Sequence, residues 1–226
     1  MADVPDIDKK IKFFQREILK WFKENGRSFP WREEGCSNYE LIIAEILLQR
    51  TKAETVAKFY PLFIKKYPGW VALGRATEQE LVDFLQPIGL NKQRGKRLFQ
   101  LAQELKVRNY TLPRKVDEVN DLPMMGQYIT NAFELFILKK KAPLLDVNMA
   151  RVLERFFGPR KLKDIRYDSY LQNLAHQIVK HPQSKELNWG IIDFASIICI
   201  KKLTSCDVCK LNIQCSFFNK SPNIVL

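Results

Sequence analysis

The 226-residue sequence has no window approaching the ~18 consecutive apolar residues that a membrane-spanning helix needs. Its opening, MADVPDIDKKIKFF, lacks the basic-then-apolar layout of a secretion signal. These absences predict an intracellular protein with no membrane role, cytoplasmic and nucleoid-associated if the source is prokaryotic. Alternating apolar and polar runs are scarce, which argues against sheets. No low-complexity tract or internal repeat stands out, so neither a disordered chain nor a solenoid is expected. Histidine is limited to His176 and His181, neither at ligand spacing from a cysteine. Acidic residues are in the minority, with 25 Asp and Glu against 37 Lys and Arg, a formal net charge of +12.

The basic residues are spread along the chain rather than packed into a tail. They therefore belong to the surface of a folded body, with nucleic acid as the favoured polyanion and acidic lipid or an acidic protein as weaker readings. With 46% apolar and 12% aromatic residues, the chain has ample material for a core. Helical periodicity runs through 9–26, 39–51, 53–67 and 78–90. Turn chemistry separates these stretches: GRSFPW at 26–31, YPGW at 67–70, PIGLNKQRG at 87–95, YTLPRK at 110–115 and FGPRK at 157–161. The expected fold is all-α with short connections.

Four of the five cysteines cluster as C-x6-C-x2-C-x5-C, at Cys199, Cys206, Cys209 and Cys215. In a reducing compartment such a cluster favours a metal site over disulfides. Structural zinc sites usually bring two short knuckles separated by a longer excursion, whereas this run has a single C-x2-C with wide gaps on both sides. Four cysteines at mixed spacing suit a [4Fe-4S] cluster. Zinc and unligated thiols are the alternatives. Cys36, alone, reads as an incidental free thiol.

Three further places could carry chemistry. LPMMGQYIT, residues 122–130, is a short glycine-containing turn ahead of an apolar helical run expected to extend from Gln127 to Leu138. Such a turn aims backbone N–H groups outward at the positive end of a helix, a ready anion site, with Gly126 supplying the permissive backbone. An ordinary connector whose glycine relieves strain is the alternative. Asp146, just before VNMARVLERFF, stands where a helix N-cap is expected. Glu45, inside LIIAEILLQ, shares a helical stripe with Leu41 and Leu48. A carboxylate there is expensive unless paired or used, and Arg50 or Lys52 could be a structural partner.

The hairpin LPMMGQYIT, the Asp in LLDVN and the terminal C-x6-C-x2-C-x5-C, in that order, resemble the helix-hairpin-helix DNA glycosylases of the endonuclease III class. The resemblance covers nearly the whole chain, from SFPWR at 28–32 to Cys215. It implies a two-lobed all-α fold: a six-helix barrel over residues 30–135 ending in the hairpin, and a discontinuous lobe of 1–29 and 136–226 holding a [4Fe-4S] cluster on Cys199, Cys206, Cys209 and Cys215. It also implies a monomer acting on double-stranded DNA that carries a mismatched or damaged base, flipped out of the stack for base excision repair.

In endonuclease III the second residue after the hairpin glycine is a lysine that attacks the sugar and nicks the strand. Tyr128 stands there in this chain and cannot form a Schiff base, which implies a monofunctional glycosylase that leaves an abasic site. Asp-x-Asn in LLDVN leans the same way. Thymine or uracil opposite guanine, and adenine opposite guanine or oxidised guanine, are the two substrate classes in view. PIGLNKQRGKRL and NWGIIDFASIIC are more similar to the thymine branch. A non-catalytic DNA-structure binder is the rival from another class, and an electron carrier a more distant one.

The resemblance further implies roles. Asp146 would stabilise the cationic sugar and orient water, Tyr128 would line the opposite pocket wall, and Glu45 would protonate or polarise the departing base, its pKa raised by apolar surroundings. Trp31 would be a pocket wall. Gln49 and Arg50, a turn beyond Glu45, would wedge into the gap of the flipped base, while Leu90, Asn91 and Lys92 press on the opposite strand. Gly126 and Gln127 would offer N–H groups to a phosphate. Lys201, Lys202 and Lys210 would reach the backbone from the cluster loop. One residue departs from the pattern: Met124 stands where the family hairpin has its first glycine, and a positive φ there would strain it.

Overall fold

The computed structural model describes residues 7–202 and 205–220; among them every regular element is helical. The helices are α1 (Ile7–Asn25), α2 (Asn38–Leu48), α3 (Ala53–Lys66), α4 (Trp70–Leu73), α5 (Glu78–Phe84), α6 (Asn91–Val107), α7 (Val116–Asn120), α8 (Gln127–Phe136), α9 (Val147–Phe157), α10 (Ser169–Val179), α11 (Ser184–Ile197) and α12 (Ser216–Lys220), with short 3-10 turns between some of them. The chain divides into two compact units. One spans Ser28–Leu138; the other joins the chain up to Arg27 with the chain from Lys139 onward.

In the unit spanning Ser28–Leu138, α2 is the central helix. A capping box starts it: the Ser37 side chain accepts from the Glu40 N–H, and the Glu40 carboxylate accepts from the Ser37 N–H. Every residue from Ile42 to Leu47 is buried, and a helix apolar on all sides belongs inside a core. It shares one core with Val56, Phe59 and Phe63 of α3, Leu81 of α5, Leu98, Leu101 and Leu105 of α6, and Ile129 and Phe133 of α8. At Gly95 of α6 an added Cβ would lie 2.8 Å from the Val82 backbone, so glycine is what allows α5 and α6 to touch this closely.

Two helices predicted from periodicity end early. The stretch 39–51 stops at Leu48, because Arg50 takes φ +57°. The stretch 78–90 stops at Phe84 and passes through a 3-10 turn at Gln86–Ile88; Pro87 has no N–H to donate, and Gly89 and Leu90 take φ of +73° and +54°. Hydrophobic periodicity continues through both turns because their apolar residues still face the core. α8 likewise ends at Phe136, two residues short of Leu138.

The other unit is built on α1, α9, α10 and α11, whose fully buried Phe14, Ile18, Leu153, Leu171 and Ile191 share one core. Two buried polar residues shape its backbone. Asp193, with no exposed surface, accepts from the Arg27 backbone N–H at 2.9 Å and from its guanidinium at 2.8 Å. Asn188, also fully buried, receives the Leu144 N–H at 2.7 Å and donates to the Ala142 and Ser184 carbonyls. It thereby clamps the segment that delivers Asp146 to the start of α9.

Candidate functional site

The hairpin joins α7 to α8 through Asp121–Gly126. Met124 takes φ +67°, the left-handed conformation that L-residues with a Cβ rarely hold. Gly126 takes φ −65° and ψ 174°, ordinary extended backbone for a helix N-cap. The permissive conformation expected at Gly126 is therefore found at Met124, since the chain reverses two residues before the helix N-cap. Gly126 is exposed, and an added Cβ would meet nothing within 4 Å, so its distinguishing property is an open approach to the start of α8. Gln127, next to it, is also exposed. Thr130, which the sequence did not single out, pins the turn: its hydroxyl donates to the Met125 carbonyl at 2.8 Å and lies 3.3 Å from Asn120 Oδ1.

Two turns of helix do the work of convergence. Tyr128 stands one residue into α8, half-buried, and its hydroxyl donates to Glu45 Oε2 at 2.9 Å. Glu45 is 4% exposed. A buried carboxylate is costly, and a hydrogen bond to a charged group contributes roughly 1.5–3 kcal/mol toward that cost. The sequence placed both residues at a site and offered a basic structural partner for Glu45, Arg50 or Lys52, as the alternative. The neutral phenol of Tyr128 takes up that role in part, 83 residues further along the chain.

Gln49 and Arg50 do not extend α2. They form the turn that follows it, with Gln49 as C-cap and Arg50 exposed at its tip. Leu90, 48% exposed, forms the tip of a second turn, with Lys92 exposed beside it. Asn91 turns inward, where its amide donates to the Val82 carbonyl at 3.1 Å. Trp31, expected as a pocket wall, is 3% exposed, stacked on Phe29 at 4.8 Å and edge-on to Tyr60 at 5.6 Å.

Asp146 belongs to the other unit and is the N-cap of α9, as its position before the amphipathic stretch predicts. Oδ1 accepts from the Asn148 and Met149 N–H groups at 2.9 and 2.8 Å, and Oδ2 accepts from Asn148 Nδ2 at 2.7 Å. Burial pushes its carboxyl above the ordinary carboxylate range, against the pull of those hydrogen bonds and of nearby Arg151. Asn148 Oδ1 accepts in turn from Arg151 Nη1 at 3.1 Å, and Arg151 donates to the carbonyls of Cys199 and Ala195. A chain of side-chain bonds thus runs from the Asp146 carboxylate to the first cysteine of the cluster. The spacing D-x-N-x-x-R is the only sequence sign of it.

Cys199, Cys209 and Cys215 pack against the same core. Burial pushes the Cys209 thiol up to about 12, and the neighbouring Cys199, Cys215 and Cys206 push it the same way, so the four sulfurs share one environment. Arg155 Nη1 stands 3.3 Å from Cys199 Sγ and donates to the Ile200 carbonyl at 2.8 Å. Among the described residues, no three His, Cys, Asp or Glu side chains meet closely enough to hold a single metal ion. Four thiol side chains on one loop, beside a guanidinium, have the donor chemistry of a thiolate-held metal centre. Lys201, Lys202 and Lys210 are exposed on this loop. Among the described residues no helix is long and apolar enough to cross a membrane.

Residues 43–169 match the profile of the HhH-GPD superfamily base excision DNA repair proteins. A thymine/uracil-DNA glycosylase of Pyrobaculum aerophilum is 35% identical over 217 residues, 93% of this chain and 94% of that one. A thymine-DNA glycosylase of Aeropyrum pernix is 33% identical over 219 residues, 94% and 98% of the two chains. The solved structure of a thermostable thymine-DNA glycosylase superposes with a TM-score of 0.86 at 32% identity, covering 95% of this chain and 99% of that one. Adenine DNA glycosylases are more distant; that of Buchnera aphidicola strain APS is 27% identical, and the match covers 58% of its length. The chain belongs to the HhH-GPD superfamily of base excision DNA repair proteins.

Proposed function

We propose that this DNA glycosylase hydrolyses the N-glycosidic bond of thymine or uracil opposite guanine and leaves the strand intact. The observation that carries the proposal is the 2.9 Å bond from the Tyr128 hydroxyl to Glu45. At the hairpin position where strand cleavage requires an amine, a phenol is held by a carboxylate instead, and a phenol forms no Schiff base. The names of the relatives at 33–35% identity support the choice of base.

The chemistry follows from the side chains. As the bond between base and deoxyribose lengthens, positive charge builds on the sugar. The Asp146 carboxylate stabilises that charge and orients the attacking water, whose proton it takes or passes to solvent. Glu45, held by Tyr128, delivers or directs a proton to the departing base. The N–H groups at Gly126 and Gln127, at the exposed start of α8, grip a backbone phosphate. Arg50 with Gln49 fills the gap in the duplex and Leu90 with Lys92 presses on the opposite strand, while Asn91 braces the second of these turns. Cys199, Cys206, Cys209 and Cys215 would hold a [4Fe-4S] cluster, which supplies a cross-link fixing the loop that carries Lys201, Lys202 and Lys210. The enzyme acts as a monomer.

Duplexes carrying T, U or A opposite G or oxidised G, with and without alkali, test this. Cleavage that depends on alkali, at T or U opposite G, and that disappears in Asp146→Asn is the expected result. Strand scission without alkali overturns the monofunctional assignment, and release of adenine alone moves the enzyme to the branch of its more distant relatives. Iron and acid-labile sulfide in equal amounts support the cluster; zinc in their place excludes it.

A further inference from the structure

Arg94 is 4% exposed, in the first turn of α6, and its guanidinium reaches two turns that carry left-handed residues, Arg50 and Leu90. Nη2 donates at 2.8 Å to the Gln49 carbonyl and at 2.8 Å to Thr51 Oγ1, on either side of Arg50. Nη1 donates at 2.9 Å to the Gly89 carbonyl and at 3.4 Å to that of Ile88, just before Leu90. Thr51 Oγ1 lies a further 3.5 Å from the Ile88 carbonyl. These partners are all neutral oxygens, three carbonyls and a hydroxyl.

The arrangement is costly in two ways. A cation is buried without an acid among these partners, and two residues with side chains sit at φ +57° and +54°. The planar fork of a guanidinium can hold two carbonyl-lined turns at once, which the single point charge of a lysine cannot. What both turns present to solvent is a tip: Arg50 on one, Leu90 on the other.

We propose that Arg94 is a positioning residue that locks the Gln49–Thr51 and Ile88–Leu90 turns into one rigid two-pronged wedge, so that both tips enter the duplex together, one at the gap and one against the opposite strand. The proposal rests on the assignment of these tips to the two strands at a flipped base. Arg94 touches neither base nor sugar; it removes the freedom that either tip would otherwise lose on binding. The preorganisation is therefore felt where extrusion is difficult and not where the base is already unpaired.

The test compares Arg94→Met, Arg94→Lys and Thr51→Val with the parent enzyme on two duplexes: T opposite G, and U in a single-nucleotide bulge. Single-turnover excision is measured for each. Flipping is read from the fluorescence of 2-aminopurine next to the target, in an Asp146→Asn background that halts chemistry. Arg94→Met is expected to lose about tenfold or more in excision and in fluorescence gain at the paired T, and to stay within about threefold at the bulge. Arg94→Lys and Thr51→Val lose less, in the same pattern, and carry the comparison if Arg94→Met does not fold. Equal losses on both duplexes, or no loss on either, overturn the proposal. Leu90→Ala reports on the tips themselves: if it leaves flipping unchanged, the assignment of the tips fails. If the parent enzyme releases neither base, the substrate assignment fails, while the fluorescence ratio still decides Arg94.

Discussion

The Tyr128 hydroxyl and the Glu45 carboxylate meet at 2.9 Å inside one unit of the protein, brought together by α8 and α2. If they act as one device, their losses overlap. Tyr128→Phe removes the donor and leaves a buried carboxylate short of a partner; Glu45→Gln keeps a polar group but removes the acid. Each is expected to slow single-turnover excision, Glu45→Gln by roughly 10²–10⁴-fold and Tyr128→Phe by less. The double variant should be close to Glu45→Gln alone, because residues in contact are not additive. Losses that multiply would show that the two residues work separately.

The same contact governs what a lysine does at this place. In Tyr128→Lys the amine would sit against the Glu45 carboxylate, and an opposite charge at that range favours the ammonium, which is not a nucleophile. Borohydride trapping of an enzyme–DNA adduct is expected to be weak in Tyr128→Lys and stronger in Tyr128→Lys/Glu45→Gln. Efficient trapping by the single variant, unimproved by the second change, would be incompatible with the carboxylate restraining the amine.

How much of this was visible in the sequence depends on the range of the interaction. Asp146 as an N-cap is a local property, set by neighbours in the chain, and residue type reveals it; the positive φ at Met124 is not, since residue type points to Gly126 and only the family pattern draws attention to the methionine. The burial of Glu45 follows from helical spacing. Its bond to Tyr128 does not, because nothing in either segment encodes the register between α2 and α8. Arg94 was hidden for the same reason: in a chain with 37 basic residues, one more arginine in PIGLNKQRG reads as surface charge. Only the fold shows it to be buried between two turns.

Asp146 should cost stability where it supports chemistry. Its carboxyl lies above the ordinary value of 3.8 because burial disfavours the charge. A carboxyl raised by folding contributes its stability below the unfolded value and loses it as pH rises through the folded value. Asparagine caps a helix about as well as aspartate and carries no charge to bury. Asp146→Asn is therefore expected to unfold at a higher temperature than the parent at pH 7, with the gain shrinking toward pH 4, while base excision is lost. Calorimetry at the two pH values checks this; a lower Tm at pH 7 would mean that the capping hydrogen bonds outweigh the burial.

Asn148 holds Asp146 from the far side. Asn148→Leu removes the 2.7 Å donor to Oδ2 and so withdraws support from the ionised form. The acid limb of the pH–rate profile should move to higher pH, with the plateau rate lowered less than in Asp146→Asn. A profile that falls uniformly, with its acid limb unmoved, would assign Asn148 to folding alone.

Met124 already holds the backbone that a glycine would take, at φ +67°. Relief of that strain in Met124→Gly contributes about 1–2 kcal/mol. Against it stand about 0.5–1 kcal/mol for the added freedom of glycine in the unfolded chain and the loss of a side chain that packs, partly buried, on the core. The terms nearly cancel, so the Tm should change by only a few degrees. Met125, with no exposed surface, has no such compensation, and Met125→Ala should cost about 2–5 kcal/mol. Because the turn geometry is the same with either residue at 124, affinity for undamaged duplex should stay within about twofold of the parent in Met124→Gly, a factor worth less than 1 kcal/mol. A tenfold gain would mean that the methionine side chain itself, rather than the backbone it adopts, obstructs the phosphate at Gly126.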